Sequence, residues 1–277
     1  MYKIVSKRLI APKEFDLWIE APRVARNGKA GQFVVIRASE KGERIPLTIA
    51  DYDREGGRIR IIFQVVGKTT KEMSLLDEGD CLHDILGPLG NPSEIETLGT
   101  VLMVGGGVGI AALYPIIKEL KAAGNRVITI LGGRTSDLVI LKEECAAHSD
   151  ELIVTTDDGS EGMKGVVTDA MQVLAERGEK IAQSWIIGPT IMMKFASLKA
   201  KELAIPCWVS LNPIMIDGTG MCGCCRVSVN DEIRFACVDG PEFDGWGVNW
   251  NEFMNRMGQY KDEEKISLEK YQSEVGE

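Results

Sequence analysis

Basic charge is in deficit in this sequence of 277 residues: 32 Lys and Arg stand against 41 Asp and Glu, a formal net charge of −9. A phosphate backbone would be approached against the mean field, so no nucleic-acid partner is expected. Proline, at 10 residues, is too sparse for a linker-dominated chain, and no internal repeat or low-complexity block is evident. The opening residues Met1-Tyr2-Lys3-Ile4-Val5-Ser6-Lys7 reach charged and polar side chains before an apolar run develops. No signal peptide is therefore expected, and the expected address is cytoplasmic. The two histidines, His83 and His148, lie outside every motif described below and read as surface or satisfied side chains. One uncharged stretch, Leu98 to Ile117, has the nominal length of a membrane span. It contains Gly99, Gly105, Gly106, Gly107, Gly109 and Pro115, which would leave lipid-exposed backbone unpaired, so buried strand, loop and helix are expected and no membrane span.

What is present is a folded chain, with hydrophobic residues at 44% and charged residues at 26%, long enough for one large domain or two ordinary ones. Up to about residue 97 strand signals dominate, as in Phe15-Asp16-Leu17-Trp18-Ile19-Glu20, Gln32 to Arg37 and Arg58 to Val66, separated by Gly and Asp clusters. An antiparallel β-barrel of about six strands is the natural solution. From Thr100 short apolar strands alternate with helical segments: Val101–Val104 then Ile110–Ala123, Val127–Leu131 then Leu138–Ala147, Leu152–Thr155 then Val166–Glu176, Trp185–Ile187 then Thr190–Glu202. That rhythm predicts an α/β domain with a parallel sheet and ligands beyond the carboxyl ends of its strands. A last strand at residues 206–210 precedes a cysteine-rich segment, and Asn251 to Val275 reads as helix without a wide apolar stripe.

Four of the seven cysteines, Cys222, Cys224, Cys225 and Cys237, fall within sixteen residues, a clustering that in a cytosolic chain means metal or redox chemistry more often than disulfides. Plant-type 2Fe-2S spacing fits if Asp217 takes the first ligand position and Cys222, Cys225 and Cys237 the others, with Cys224 left over. Glycines at 218, 220 and 223 suit a loop that must turn tightly and aim backbone N–H groups at sulfur. A structural zinc site and unmetallated thiols are the alternatives, although zinc sites usually use two pairs of closely spaced ligands.

Val101 to Ile110 reads as strand, glycine-rich turn and helix start, where glycines let backbone approach a pyrophosphate and the helix N-terminus favours its charge. It lacks the strict dinucleotide fingerprint and no P-loop Lys follows. Leu131-Gly132-Gly133-Arg134, Thr155-Thr156-Asp157-Asp158 and Ile187-Gly188-Pro189 place further turns at the same sheet edge. Asp157 or Asp158 suits a ribose hydroxyl, and so NAD, while Lys164 keeps NADP open; a solvated acidic turn is the bland alternative. In Arg44-Ile45-Pro46-Leu47-Thr48, Arg44 and Thr48 can supply the cation and the small donor that a flavin pyrophosphate and reactive N5 require; otherwise the segment is an ordinary strand.

Together these segments resemble the ferredoxin-NADP reductase superfamily, which pairs a flavin-binding barrel with a nicotinamide-binding α/β domain. The resemblance implies flavin contacts at Arg44, Pro46, Leu47 and Thr48, with Thr48 at the reacting atoms, and at Val65, Gly67, Thr69 and Thr70. On the nicotinamide side it implies Gly106, Gly107, Val108, Gly109, Gly133, Arg134, Asp157, Asp158, Gly188 and Pro189, with Ile187 where many members carry Cys. The cysteine segment and Cys237-Val238-Asp239-Gly240-Pro241 resemble the electron-transfer subunits of dihydroorotate dehydrogenase, from whose four cysteines Asp217 departs. With Glu242-Phe243-Asp244-Gly245 and the longer tail, the segment looks closer still to the small subunits of NADH-dependent reduced ferredoxin:NADP oxidoreductase, also called sulfide dehydrogenase beta subunits.

The expected organisation is an FAD-binding barrel at 1–97, an NAD(P)-binding α/β domain at 98–210, a 2Fe-2S segment at 211–245 and a helical, partner-docking tail at 246–277. The resemblance implies an electron-transfer flavoprotein subunit with FAD, a 2Fe-2S cluster and NAD(H), NADP(H) being possible. Its implied partner is a larger iron-sulfur flavoprotein subunit, in a heterodimer or higher assembly that performs electron bifurcation with ferredoxin. The alternatives are a dihydroorotate-oxidising partner, or a non-catalytic redox-sensing or zinc-stabilised binding module.

Overall fold

A computed structural model describes residues 1–275; the last two residues of the tail expected at 246–277 lie outside the described residues. The first part of the chain runs β1 (Tyr2–Ala11), β2 (Glu14–Glu20), α1 (Pro22–Asn27), β3 (Phe33–Arg37), β4 (Arg44–Thr48), β5 (Asp51–Asp53), β6 (Arg58–Gln64), α2 (Lys68–Ser74), β7 (Cys81–Leu82) and β8 (Asp84–Leu89). The strands form antiparallel sheets ordered β5-β6-β2-β1-β7 and β4-β3-β8. Alternation explains the closure: Leu17 and Ile19 of β2 share one core with Ile59 and Ile61 of β6 and with Val34 and Ile36 of β3. The other face of the β2–β6 pair carries Asp16, Arg60 and Ile62, of which Arg60 and Ile62 meet the second domain. Eight strands replace the expected six because β5 and β7, three and two residues long, are too short to show a periodic pattern.

The second part runs β9 (Thr100–Gly106), α3 (Gly109–Ala122), β10 (Arg126–Gly133), α4 (Lys142–Ala147), β11 (Glu151–Thr156), β12 (Met163–Lys164), α5 (Val167–Glu176), β13 (Gln183–Ile187), α6 (Thr190–Glu202) and β14 (Cys207–Ser210). The strands pair in parallel in the order β12-β11-β10-β9-β13-β14. The uncharged stretch from Leu98 to Ile117 is thus strand, turn and buried helix, and no described helix is long and apolar enough to cross a membrane. The helix expected at Leu138–Ala147 is shorter: a 3₁₀ turn at Ser136–Leu138 leads to buried Val139 and Ile140, and Leu141, at φ +52°, separates them from α4.

The third part adds a hairpin, β15 (Arg226–Val229) with β16 (Glu232–Phe235), then β17 (Glu242–Asp244), α7 (Trp250–Met257) and α8 (Lys261–Val275). β17 pairs antiparallel with β14, so the cysteine segment is joined to the parallel sheet. One hydrophobic cluster links Phe33 and Val35 of the barrel, Ile186 of the α/β domain, and Cys225, Phe243 and Trp250 of the third part. The tail is two helices interrupted after Met257, and α8 packs beside α2 of the barrel.

Polar pairs hold the barrel against the α/β domain. Lys118 Nζ donates to Asp51 Oδ1 at 2.8 Å, and the Tyr52 hydroxyl donates to Glu119. Arg60 is clamped by Asp16 within the barrel, at 3.0 and 2.9 Å, and reaches Glu144 across the interface at 3.2 Å. Burial by itself would lower the Arg60 pKa, but its bonds to Asp16 and Glu144 outweigh that cost and raise it, so the guanidinium stays charged.

Candidate functional site

Between the barrel and the α/β domain lies a cleft of about 1360 Å³. The barrel wall is Arg44 to Thr48 of β4, Ile62, Phe63 and Gln64 of β6, and Val66 and Thr70. Facing it are the turns at the carboxyl ends of β9, β10, β11 and β13: Gly106 to Gly109, Gly132 to Arg134, Thr155 and Asp157, and Ile187 to Pro189. Parallel register brings them together, since Gly106 pairs with Gly132, Gly133 with Thr156 and Ile187 with Gly105. Ser210 and Asn212 to Met215 form a third side, with Met192, Phe195, Met257 and Glu264 contributed by α6, α7 and α8.

Most of the residues expected on sequence grounds meet there: Arg44, Pro46, Leu47, Thr48, Thr70, Gly106, Gly107, Val108, Gly109, Gly133, Arg134, Asp157, Gly188 and Pro189. Four do not line the cleft. The Val65 N–H is spent on Lys13 O, Gly67 is the N-cap before α2, Thr69 Oγ1 donates to Glu43 Oε2 at 3.3 Å, and exposed Asp158 accepts the Ser160 N–H at 2.9 Å. Thr70 has a local task as well, its Oγ1 accepting from Val66 N and Gly67 N at 3.0 and 3.1 Å. His83 and His148 stand outside the cleft.

Two glycines are required, Gly109 by backbone contact and Gly107 by its left-handed conformation. A Cβ on Gly109 would lie 2.6 Å from Gly188 Cα, so the turns after β9 and β13 touch. Gly107, at φ +51°, has nothing within 4 Å of such a Cβ, and its open side belongs to the cleft. Two polar atoms on the walls are buried and unpartnered, Glu14 Oε2 and Thr155 Oγ1. A polar ligand seated against both walls would satisfy them, so the cleft fits a flavin and a nicotinamide nucleotide in size and polarity. Sequence reasoning missed Glu14 because its signal, a place on the face of β2 shared with Asp16, acquires meaning only when β6 and the α/β domain are set against it.

From Met215 on the cleft wall the chain passes through Ile216 into the cysteine loop. Gly218, Gly220 and Gly223 take φ of +74°, +85° and +69°, and a Cβ on Gly218 would approach Leu89 Cδ1 at 2.8 Å and Val35 Cγ2 at 3.0 Å. The loop is therefore pressed onto β3 and β8, and Val35 is the register partner of Pro46 on the flavin-motif strand. Cys225 and Cys237 are buried free thiols with sulfurs 3.2 Å apart, and the Cys237 N–H donates to Cys225 Sγ at 3.4 Å. Burial and the bond from Cys225 push the Cys237 thiol up to about 12. Cys222 is exposed and Cys224 half-buried, and Arg256 Nη2 donates to Cys224 O at 3.0 Å. Asp217 Oδ1 accepts the Thr219 N–H at 2.8 Å and Oδ2 the Cys222 N–H at 2.7 Å, which hold its carboxyl below the usual range.

Among the described residues no three His, Cys, Asp or Glu side chains are gathered as a metal centre. The donor set still fits a sulfur-bridged iron group: two adjacent buried thiols, an N–H aimed at sulfur, and two further donors on one glycine-hinged loop.

Two family models match the chain, an oxidoreductase NAD-binding domain over residues 103–198 and the iron-sulfur cluster binding domain of dihydroorotate dehydrogenase B over residues 212–249. The dihydroorotate dehydrogenase B (NAD(+)) electron transfer subunit of Desulforamulus reducens is 32% identical over 256 residues, covering 90% of this chain and 97% of that protein. The chain belongs to the dihydroorotate dehydrogenase B electron-transfer-subunit family. Within the family, a Thermotoga maritima protein named as a homolog of that subunit is 59% identical over 275 residues, covering 99% of this chain and 97% of the relative. A solved structure of the NADH-dependent reduced ferredoxin-NADP oxidoreductase, described for flavin-based electron bifurcation, contains a chain 59% identical to this one. It superposes with a TM-score of 0.93 over 98% of both chains. A ferredoxin NADP+ reductase from Neisseria gonorrhoeae, 16% identical with a TM-score of 0.61 over 73% of this chain and 90% of that one, shares the fold. With an NAD-binding oxidoreductase domain followed by an iron-sulfur domain, this member of the family is an electron-transfer oxidoreductase subunit.

Proposed function

We propose that the chain binds FAD and NAD(H) in the interdomain cleft and a 2Fe-2S cluster in the cysteine loop, and works beside a larger iron-sulfur flavoprotein subunit that couples NADH, NADPH and ferredoxin. The observation that carries this reading is the seating of the cysteine loop on β3, with Gly218 against Val35 and Val35 beside Pro46. Adjacent strands are about 5 Å apart, which brings the loop to roughly 10 Å from the flavin-motif strand. When bound, a flavin supplies the conversion of a hydride pair into single electrons that an iron-sulfur cluster carries.

The residues of this chain position and insulate. Arg44 offers a cation and Thr48 a small hydroxyl from alternate places on β4, both on the cleft wall. Gly106 to Gly109, Gly133, Arg134, Gly188 and Pro189 leave backbone room for a dinucleotide, with Asp157 placed for a ribose hydroxyl. Asp217, Cys222, Cys225 and Cys237 are the assigned cluster ligands. The division at 97, 210 and 245 assigns flavin, nucleotide and cluster to successive parts, and the tail from 246 serves the partner. Seven free cysteines suit the cytoplasm, where thiols stay reduced.

The names of relatives such as the Desulforamulus reducens subunit support a second reading, in which the partner oxidises dihydroorotate. Anaerobic purification of the chain with its natural mate tests both. Yellow-brown material bleached by NADH, with a ferredoxin- and NADPH-reactive subunit attached, is expected. A dihydroorotate-oxidising mate selects the second reading, and a colourless protein inert to pyridine nucleotides refutes both.

A further inference from the structure

Glu14 opens β2 and is 1% exposed. Its register partner on β6, Gln64, donates an Nε2–H to Oε1 at 3.2 Å. The second oxygen, Oε2, is buried without any partner, although the side chain lines the cleft. Asp16 marks the contrast: two residues further along the strand, both of its oxygens are taken, by Arg60 at 3.0 and 2.9 Å and by Arg8 at 2.5 Å.

A buried polar oxygen left unmatched is costly, and evolution normally pairs it with protein or water. Gln64 already fixes Oε1, so the missing partner of Oε2 must come from what enters the cleft. Among the hydroxyl, amino and amide donors of the proposed ligands, those carried by the reacting ring systems are amides: the ring imide N–H of a flavin and the carboxamide N–H of a nicotinamide.

We propose that Glu14 is a cofactor-positioning residue whose Oε2 receives an amide N–H of the flavin or nicotinamide, while Gln64 holds its other oxygen; this rests on the flavin and nicotinamide reading of the cleft. Burial pushes the Glu14 carboxyl up to about 7, and an N–H donor at Oε2 would relieve that cost by stabilising the charged form. The side chain thus exchanges stability of the empty cleft for selectivity toward what fills it.

The test compares the native chain with E14Q and E14L, each prepared anaerobically with its flavin and iron. Three quantities are read: the dissociation constant of the flavin, that of NAD+, and the visible bands of the bound flavin. Loss of the hydrogen bond in E14L is expected to weaken one of the two ligands about tenfold, and E14Q, which keeps volume but not charge, about threefold. A raised flavin constant with shifted bands identifies the imide as the donor. A raised NAD+ constant with native flavin bands identifies the carboxamide. Either variant that binds both ligands as the native chain does overturns the proposal, and E14Q alone decides if E14L does not fold. A native chain that holds neither ligand defeats the functional reading itself, so the two failures are distinct.

Discussion

Glu242 ties the cluster segment to the other two parts of the molecule, and its removal should show. The Ser93 hydroxyl, between barrel and α/β domain, donates to Oε1 at 2.5 Å, and the Trp185 indole N–H of β13 donates to Oε2 at 3.2 Å. E242L would leave two interior donors unsatisfied, at about 1–3 kcal/mol each. The expected loss is about 2–6 kcal/mol, or roughly 5–20 °C of thermal midpoint for a chain of this size. The pH dependence is more specific. Burial pushes the Glu242 carboxyl up to about 7, against the lowering pull of Ser93 and Trp185, from an ordinary value of 4.5. The native state therefore holds this proton more tightly than the unfolded state. Its contribution is fully present below about 4.5 and is lost as pH rises to about 7. That gap is worth at most about 3 kcal/mol. E242Q removes the titration, so the advantage of the native chain over E242Q should shrink by up to about 3 kcal/mol between about pH 4.5 and pH 8. Scanning calorimetry across that range reads it. A native-minus-E242Q difference that stays flat, or an E242L chain within about 1 kcal/mol of native, would refute the reasoning.

Other consequences follow from packing and charge. G109A would drive a Cβ to 2.6 Å from Gly188 Cα, so it should cost about 1–3 kcal/mol and weaken NAD+ binding in a fluorescence titration. R60M leaves buried Asp16 short of its principal partner and should cost about 3–5 kcal/mol in a urea melt; adding D16N should recover part of it. D217C should retain iron and shift the cluster potential, read by electrochemical titration, whereas C224S should leave iron content unchanged. Loss of iron in C224S would overturn the ligand assignment.

Much of the fold is written locally. Alternation in Phe15 to Glu20 gives β2, and Thr190 to Glu202 is the helix that its composition predicts. The break before α4 was illegible because buried Val139 and Ile140 suit a helix as well as an extended anchor, and contact with the sheet decides between them. Motif glycines could be recognised by type, but the contact of Gly109 with Gly188, seventy-nine positions along the chain, could not.

Sequence by itself determined the chemistry on offer: glycine turns after apolar strands, an Arg–Thr strand, and thiols at cluster spacing, because side-chain type and local spacing are properties of neighbouring residues. Only the tertiary structure decided which atoms share a wall. Parallel register gathered four distant turns at one edge, β17 joined the third part to β14, Gly218 set the cysteine loop against β3, and Glu14 Oε2 was left buried on the cleft wall without a partner. Those juxtapositions arise from burying apolar faces against one another over long sequence separations, which no local pattern encodes.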